Sequence, residues 1–190
     1  MEGVIRTRVG YAGGTTPNPT YHNIGDYSET VQIDYDPSRV SYERLLDVFW
    51  RSHDPTADTW STQYRSAIFY HNDGQKKTIM ESKQREEARL GRKIQTAILP
   101  YSRFYLAEDY HQKYYLRGQR ELFHDISSIY PDPKDLVNST VAARLNGYAA
   151  GYGEQETVKA QLDQFGLSDA GKRKLLQIAG RGLEPVCPSS

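Results

Sequence analysis

A change in hydrophobic period constrains the fold of this chain more than any other feature. Residues 29–35 alternate, and Glu29 falls on the face that carries the apolar side chains of Val31, Ile33 and Tyr35. This period of two predicts a strand with one apolar face. Behind Ser41, a residue type favoured at N-caps, the spacing becomes helical, with apolar residues at Tyr42, Leu45, Leu46 and Phe49. A strand that turns into an amphipathic helix excludes an all-α or all-β chain.

The same alternation of strands and helices continues along the chain. Further strands are predicted at residues 4–9, 66–71, 94–99 and 104–106, the last two as a hairpin-like pair. Further helices are predicted at residues 75–93, 108–116, 156–165 and 168–179. This order predicts an α+β fold, a split βαβ (ferredoxin-like) two-layer sandwich, followed by a helical C-terminal extension.

Charge, hydropathy and cysteine content exclude several classes of protein. The 24 basic and 24 acidic side chains cancel, which argues against a nucleic-acid partner. The mean hydropathy is −0.74, and no apolar run approaches the roughly 20 residues that span a membrane. The first residues do not form a secretory signal, so we expect a cytoplasmic location. One cysteine, Cys187, provides neither a disulfide pair nor a cysteine-based metal cluster.

Tyrosine is the residue type that points to ligand recognition. The chain has 15 Tyr against 5 Phe and 2 Trp, and tyrosine combines apolar area with a hydroxyl group. Tyr21 ends a loop, residues 10–21, in which glycine and proline favour neither helix nor strand. A rigid loop that presents a tyrosine suits a small ligand that is partly apolar and partly hydrogen-bonding.

Each candidate residue also has a purely structural interpretation. Burial of Glu29 on an apolar face raises the pKa of its carboxyl and makes it a proton donor, whereas exposure at a strand end leaves an ordinary carboxylate. Tyr21 and Tyr64 are either ligand-binding hydroxyls or half-buried packing residues. His111 has acidic neighbours but no second ligand pair at metal spacing, so a structural hydrogen bond explains it better.

Six segments follow one another in order over roughly residues 3 to 116. They are Val9-Gly10-Tyr11-Ala12-Gly13-Gly14, Pro17-Asn18-Pro19-Thr20-Tyr21, the strand from Glu29 to Tyr35-Asp36-Pro37, Val48-Phe49-Trp50 with His53-Asp54-Pro55, Thr62-Gln63-Tyr64-Arg65-Ser66-Ala67-Ile68, and Tyr105-Leu106-Ala107-Glu108-Asp109-Tyr110-His111-Gln112. Taken together, these segments resemble the peptide methionine sulfoxide reductase A family. The residues that follow resemble the C-terminal extension of a divergent branch of that family.

The resemblance implies a reaction and roles for four residues. A thiolate attacks the sulfur of methionine S-sulfoxide, free or in proteins, and a second thiol resolves the sulfenic acid as a disulfide. Glu29 corresponds to the proton donor, Tyr21 and Tyr64 to the residues that bind the sulfoxide oxygen. Asp58 is the nearest match, slightly out of register, to a family aspartate. No cofactor is implied, and thioredoxin or another thiol is the expected reductant.

The chain also departs from the family pattern where the thiols are concerned. The family nucleophile lies in a Gly-Cys-Phe-Trp-Gly motif ahead of the Gly-Val that is Gly3-Val4 here, so the first strand and helix are expected to be missing. Ala149 stands where a resolving cysteine is expected. Cys187 has no helix N-terminus or cationic neighbour to activate it, so we expect it to be inert.

These departures shape the functional expectation. Residues 1–117 are predicted to form a methionine sulfoxide reductase A-like domain, and residues 118–190 a helical extension and tail. The family repairs oxidised proteins, but this chain is expected to be inactive because the nucleophile is absent. The alternative is a non-catalytic module that binds methionine sulfoxide or serves as a scaffold. A mis-assigned start, a short isoform and a selenocysteine codon read as a stop all explain such a chain.

Overall fold

Strands and helices alternate in the structure, a computed structural model that describes residues 1–59 and 61–179, so Cys187 lies outside the described residues. The strands are β1 (Val4–Ala12), β2 (Ser28–Tyr35), β3 (Ala67–Tyr70), β4 (Ala97–Pro100) and β5 (Phe104–Leu106). The helices are α1 (Tyr42–Arg51), α2 (Asp73–Leu90), α3 (Tyr114–Arg117), α4 (Arg120–Ile129), α5 (Pro133–Asn138), α6 (Thr140–Ala149), α7 (Gln155–Gln161) and α8 (Asp169–Ile178). Two 3-10 helices cover Asp109–His111 and Leu162–Phe165.

The chain divides into two compact units. Among the described residues, the N-terminal unit comprises residues 2–4, 9–59 and 61–108, and the C-terminal unit comprises residue 1, residues 5–8 and residues 109–179. Strand β1 therefore contributes residues to both units. The predicted limit of the reductase-like domain at residue 117 stays a prediction.

The strands form two small sheets. One sheet has the order β2-β1-β5, and the other pairs β3 with β4 in parallel. In the first sheet β1 and β5 are antiparallel, with Tyr11 opposite Tyr105. The predicted hairpin-like pairing of the last two strands is wrong, because β4 bonds to β3 while β5 bonds to β1. The Tyr101 N–H extends the β3 pairing by donating to the Tyr70 carbonyl at 2.8 Å.

Helix α1 begins and packs as its sequence pattern predicts. The Ser41 hydroxyl accepts a hydrogen bond from the Arg44 N–H at 3.2 Å, which satisfies one of the free donors of the first turn. Leu46 and Trp50 are buried on its apolar face and pack against Ile79 of α2. The indole N–H of Trp50 donates to the buried Ser82 hydroxyl at 3.1 Å, so this core contains a satisfied polar contact.

The C-terminal unit is helical around an apolar core. Three helices, α4 to α6, lie where the sequence pattern predicts no individual helix, and α7 and α8 lie in the predicted segments. Ser139 and Ser168 cap α6 and α8 with hydrogen bonds from backbone N–H groups. The buried residues of this core are Leu116, Leu122, Ile126, Leu136, Ala142, Leu145, Val158, Phe165, Leu167, Leu175 and Ala179.

The predicted helix over residues 108–116 is interrupted. Asp109–His111 form a 3-10 helix, and the short α3 begins only at Tyr114. Between them Lys113 has a φ of 54°, a left-handed conformation that an α-helix does not contain. Its ammonium group donates to the carbonyls of Thr7 and Val137, so tertiary hydrogen bonds hold the side chain at the point where the helix is interrupted.

The α+β fold class is confirmed. The finer ferredoxin-like description and the missing first strand and helix stay predictions. Among the described residues, no helix has both the length and the apolar character needed to cross a membrane.

Candidate functional site

The loop that carries Tyr21 is held in shape by one carboxylate. Asp26 accepts hydrogen bonds from the N–H and hydroxyl groups of Thr15 and Thr16, at distances between 2.8 and 3.0 Å. These backbone and hydroxyl donors hold the pKa of Asp26 well below its usual range. Just before this contact Gly13 has a φ of 81°, where an added Cβ would meet the Phe69 ring. The predicted loop is therefore present from Gly13 onward, whereas residues 10–12, predicted as its start, extend β1 and pair with β5.

Tyr21 is fixed at its backbone. The Tyr21 N–H donates to Glu108 Oε1 at 3.1 Å, and Glu108 Oε2 accepts the hydroxyl hydrogen of Tyr11 at 2.6 Å. Thr20 and Asn23, on either side, exchange two backbone hydrogen bonds at 3.1 and 3.2 Å. The half-buried Tyr21 ring packs against the cluster of Tyr11, Tyr27 and Ala107.

The structure brings Tyr21 and Tyr64 together. Tyr64 lies in the turn before β3 and is 48% exposed. Its side-chain hydrogen bond with Tyr21 raises the pKa of Tyr64, and desolvation and the nearby charges of Tyr21 and Glu29 act in the same direction. The two phenols therefore lie within hydrogen-bonding reach of each other, with the Glu29 carboxylate near Tyr64.

Glu29 reaches this group from the start of β2. Its backbone N–H donates to the Gln63 carbonyl at 2.9 Å, and the Gln63 side-chain amide donates to Glu29 Oε1 at 2.8 Å. Gln63 precedes Tyr64 directly, so these bonds join the start of β2 to the turn that holds Tyr64. Of the two interpretations of Glu29, the structure supports exposure at the strand end, because its side chain is exposed.

The reason lies in the face of β2 to which Glu29 belongs. On that face Val31 is 54% and Ile33 37% exposed, although the alternation predicts a buried apolar face. A cavity of about 400 Å³ lies against it. Its lining includes residues 29–33 of β2, residues 65–69 at β3, and Leu45 and Phe49 of α1. The apolar side chains face this open cavity within the N-terminal unit, so they do not pack as a core.

Asp58 and Ala149 belong to other segments of the chain. Asp58 is exposed in the segment between α1 and β3, and it forms no hydrogen bond or ion pair with any residue in the described ranges. Ala149 is buried at the end of α6 in the C-terminal unit. Across residues 1–59 and 61–179, no group of three or more metal-ligating side chains is present. The roles of Glu29, Tyr21, Tyr64 and Asp58 stay predictions.

Glu108 is a residue of this site to which the sequence pattern gives no separate role. It lies in the motif Ala107-Glu108-Asp109, where its neighbours point equally to a solvated acidic turn. Glu108 follows buried Ala107, two residues beyond the end of β5 at Leu106. Only the tertiary contact with the Tyr21 backbone distinguishes it from the adjacent acid.

The arrangement is suited to binding a polar oxygen atom. Phenols are neutral donors at physiological pH, and the raised pKa of Tyr64 keeps its hydroxyl protonated. Glu29 adds a carboxyl group next to them. Of these three residues Glu29 lines the cavity. Phenol and carboxyl groups together suit a ligand with one strongly accepting oxygen.

Comparison with known proteins decides the family. The family model described as peptide methionine sulfoxide reductase matches residues 1–144. The chain is a member of the peptide methionine sulfoxide reductase family. A second model, described as the helical domain of selenoprotein methionine sulfoxide reductase A, matches residues 132–172. This second match covers much of the helical C-terminal unit.

Individual relatives of this member of the methionine sulfoxide reductase family support the same family assignment as the two family models. A peptide methionine sulfoxide reductase of Drosophila melanogaster is 45% identical over 187 residues, which cover 95% of this chain and 75% of the relative. Peptide methionine sulfoxide reductase A5 of Oryza sativa subsp. japonica is 43% identical over 79% of this chain, a match that spans 61% of the relative.

Solved structures show the same fold. Mxr1 from Saccharomyces cerevisiae in reduced form matches with a TM-score of 0.57 and 33% identity, covering 63% of this chain and 74% of that one. Methionine sulfoxide reductase A of Corynebacterium diphtheriae matches with a TM-score of 0.52 and 33% identity, covering 63% of this chain and 66% of that one. Members of this family are oxidoreductases that act on methionine sulfoxide.

Proposed function

We propose that Tyr21, Tyr64 and Glu29 bind the oxygen of methionine S-sulfoxide, free or in a protein. The observation that carries this proposal is the hydrogen bond between the two tyrosines beside the Glu29 carboxyl, in a chain of the sulfoxide reductase family. A sulfoxide oxygen accepts two hydrogen bonds readily, and the thioether part of the ligand is apolar. The cavity beside β2, which Glu29 lines together with Val31, supports a ligand with an apolar part.

The reduction itself requires a thiolate or selenolate that these residues assist. The nucleophile attacks sulfur while the oxygen takes up a proton, methionine leaves, and a sulfenic acid remains on the attacking atom. A second thiol displaces water from it and forms a disulfide, which a dithiol such as thioredoxin reduces. In this sequence Glu29 is proposed as the proton donor, and the two tyrosines stabilise the charge that develops on the oxygen.

The polypeptide of residues 1–190 is proposed to bind the sulfoxide without reducing it. Its sequence contains one cysteine, Cys187, which lies outside the described residues. Within a product that supplies the nucleophile, the same site serves a reductase that repairs oxidised proteins and takes its electrons from thioredoxin. A cytoplasmic location and a role for Asp58 stay predictions.

Calorimetry tests the binding site. We expect a short peptide with one methionine S-sulfoxide to bind the wild-type chain, and the peptide with unoxidised methionine to bind more weakly. Tyr21→Phe combined with Tyr64→Phe removes both hydroxyls and is expected to weaken sulfoxide binding by about tenfold or more, because each lost neutral hydrogen bond is worth about 1 kcal/mol.

The matched control is Tyr152→Phe, which removes a hydroxyl from a tyrosine that is 67% exposed in the C-terminal unit. It is expected to bind like the wild type. Equal affinity of the wild-type chain for the oxidised and unoxidised peptides would contradict the proposal, since recognition would then not involve the sulfoxide oxygen.

A further inference from the structure

The side chain of Glu108 connects the sheet of the N-terminal unit to the loop that carries Tyr21. Its two carboxylate oxygens have different partners, the Tyr21 N–H at 3.1 Å and the Tyr11 hydroxyl at 2.6 Å. An ionised carboxylate accepts hydrogen bonds at both oxygens and makes stronger bonds than a neutral acceptor. A single residue therefore joins a strand residue to the backbone of a predicted ligand-binding residue.

The sheet side of this connection is rigid. Tyr11 is 2% exposed in β1, where it lies opposite Tyr105 of β5 and packs in a cluster with Tyr27 and Ala107. Ala107, immediately before Glu108, donates its N–H to the Val9 carbonyl at 3.0 Å. The backbone that carries Glu108 is thus fixed by the β1–β5 pairing, and its carboxylate by a buried hydroxyl.

The loop side has no regular secondary structure of its own. Tyr21 lies in a turn between the bridged residues Thr20 and Asn23, and the Asp26 clamp holds the loop further away, at Thr15 and Thr16. The distance between the Tyr21 and Tyr64 hydroxyls depends on where the Tyr21 backbone lies. A displacement of about 1 Å in such a group is enough to cost two orders of magnitude in a reaction.

We propose that Glu108 is a positioning residue, which holds the Tyr21 backbone so that its hydroxyl meets Tyr64 and Glu29 at the sulfoxide oxygen. Glu108 does not touch the ligand in this arrangement. It acts through Tyr21, and its effect on ligand affinity follows from the geometry of the two phenols. The proposal rests on the sulfoxide-binding function proposed above.

Glu108→Ala is the disrupting variant, and Glu108→Gln is the conservative one. Glutamine keeps a carbonyl oxygen for the Tyr21 N–H, and its amide nitrogen donates to the Tyr11 oxygen in place of the second carboxylate contact. We expect Glu108→Ala to weaken binding of the methionine S-sulfoxide peptide by about tenfold, and Glu108→Gln to remain within about threefold of the wild type, because only alanine removes the contact.

A spectroscopic measurement without ligand separates positioning from general loss of structure. The titration of the Tyr64 ring, followed by the ¹³Cζ resonance, reports its hydrogen bond with Tyr21. Glu108→Ala is expected to return the titration of Tyr64 toward that of an ordinary tyrosine, and Glu108→Gln to restore it. Failure of the wild-type chain to bind the peptide would refute the proposed function alone, because the ligand-free titration still tests the role of Glu108.

Glu87→Ala is the matched control. Glu87 Oε1 also accepts a backbone N–H, from Ile94 at 3.0 Å, in the same unit. Its loss is expected to change stability without changing the Tyr64 titration or sulfoxide binding. If Glu108→Ala does not fold, Tyr11→Phe releases the other end of the carboxylate and is expected to weaken binding in the same direction. An unchanged Tyr64 titration in both Glu108→Ala and Tyr11→Phe overturns the proposal.

Discussion

Lys113 shows how one side chain determines local structure and its pH dependence. The residue is 4% exposed, and its ammonium group donates to the carbonyls of Thr7 and Val137, the latter at 2.9 Å. Burial, with a smaller contribution from the charge of Arg8, lowers the pKa of Lys113 to about 8. All of these groups belong to the C-terminal unit. The folded chain therefore holds this proton less tightly than the unfolded chain does.

Stability is expected to rise with pH as a result. Between the folded pKa of about 8 and the ordinary value of 10.5, the unfolded state binds more protons, and the free energy of unfolding increases with pH. The full effect is at most about 3 kcal/mol. Urea unfolding at pH 7.5 and at pH 9.5 measures the rise, and Lys113→Met is expected to reduce it.

The urea measurements stop at pH 9.5 because tyrosine side chains titrate at higher pH. Burial raises the pKa values of Tyr27, Tyr42 and Tyr148, so folded tyrosines keep protons that unfolded ones lose. This effect has the opposite sign and destabilises the fold at higher pH. An identical pH dependence in the wild type and in Lys113→Met would show that Lys113 is not the titrating group.

At the scale of elements, the apolar face of α1 is buried, whereas the apolar face of β2 is exposed. Helix α1 buries Leu46, which is 3% exposed, against α2. Strand β2 leaves Val31 54% exposed at the open cavity. The same sequence rule, apolar residues on one face, therefore has two structural outcomes in neighbouring elements.

Two substitutions measure this difference. Val31→Thr is expected to change the free energy of unfolding by less than about 0.5 kcal/mol, as exposed positions do. Leu46→Ala is expected to cost about 2–5 kcal/mol, because it removes buried methyl groups and leaves a cavity. Urea denaturation of both variants provides the comparison. A large loss in Val31→Thr would mean that this face of β2 is packed in solution.

At the scale of the whole molecule, the thiol content leads to a prediction about activity. Residues 1–190 contain one cysteine, and the proposed reaction needs a nucleophile and a resolving thiol or external reductant. We expect no reduction of a methionine S-sulfoxide peptide with dithiothreitol or with thioredoxin, measured by chromatography of the released methionine peptide. Turnover that persists in Cys187→Ala would contradict this prediction.

Much of the fold follows from local sequence patterns. Strand β2, helix α1 with its Ser41 cap, and helix α8 with its Ser168 cap all lie close to their predicted positions. Local hydrogen bonds and periodicity determine these elements, so a single sequence predicts them. The pairing of β4 with β3 and of β5 with β1 was not predictable in this way, because the paired strands are distant in sequence.

In the candidate site, too, some features follow from local sequence motifs and others depend on tertiary packing. The motifs predict Tyr21, Tyr64 and Glu29, and the structure brings these three together. Exposure of Glu29 and the contact of Glu108 with the Tyr21 backbone depend on how separate segments pack. Alternation along a strand predicts which residues share a face, but it does not predict whether another element covers that face.

The sequence by itself determined the α+β class, the family resemblance and the identity of the residues proposed to bind the sulfoxide. It did so because periodicity, caps and ordered motifs are local properties of the chain. Tertiary structure alone decided that the apolar face of β2 faces an open cavity, that Lys113 interrupts a helix, and that Glu108 holds Tyr21. Each of these depends on contacts between residues far apart in sequence, whose free energies exceed the local preferences of the backbone.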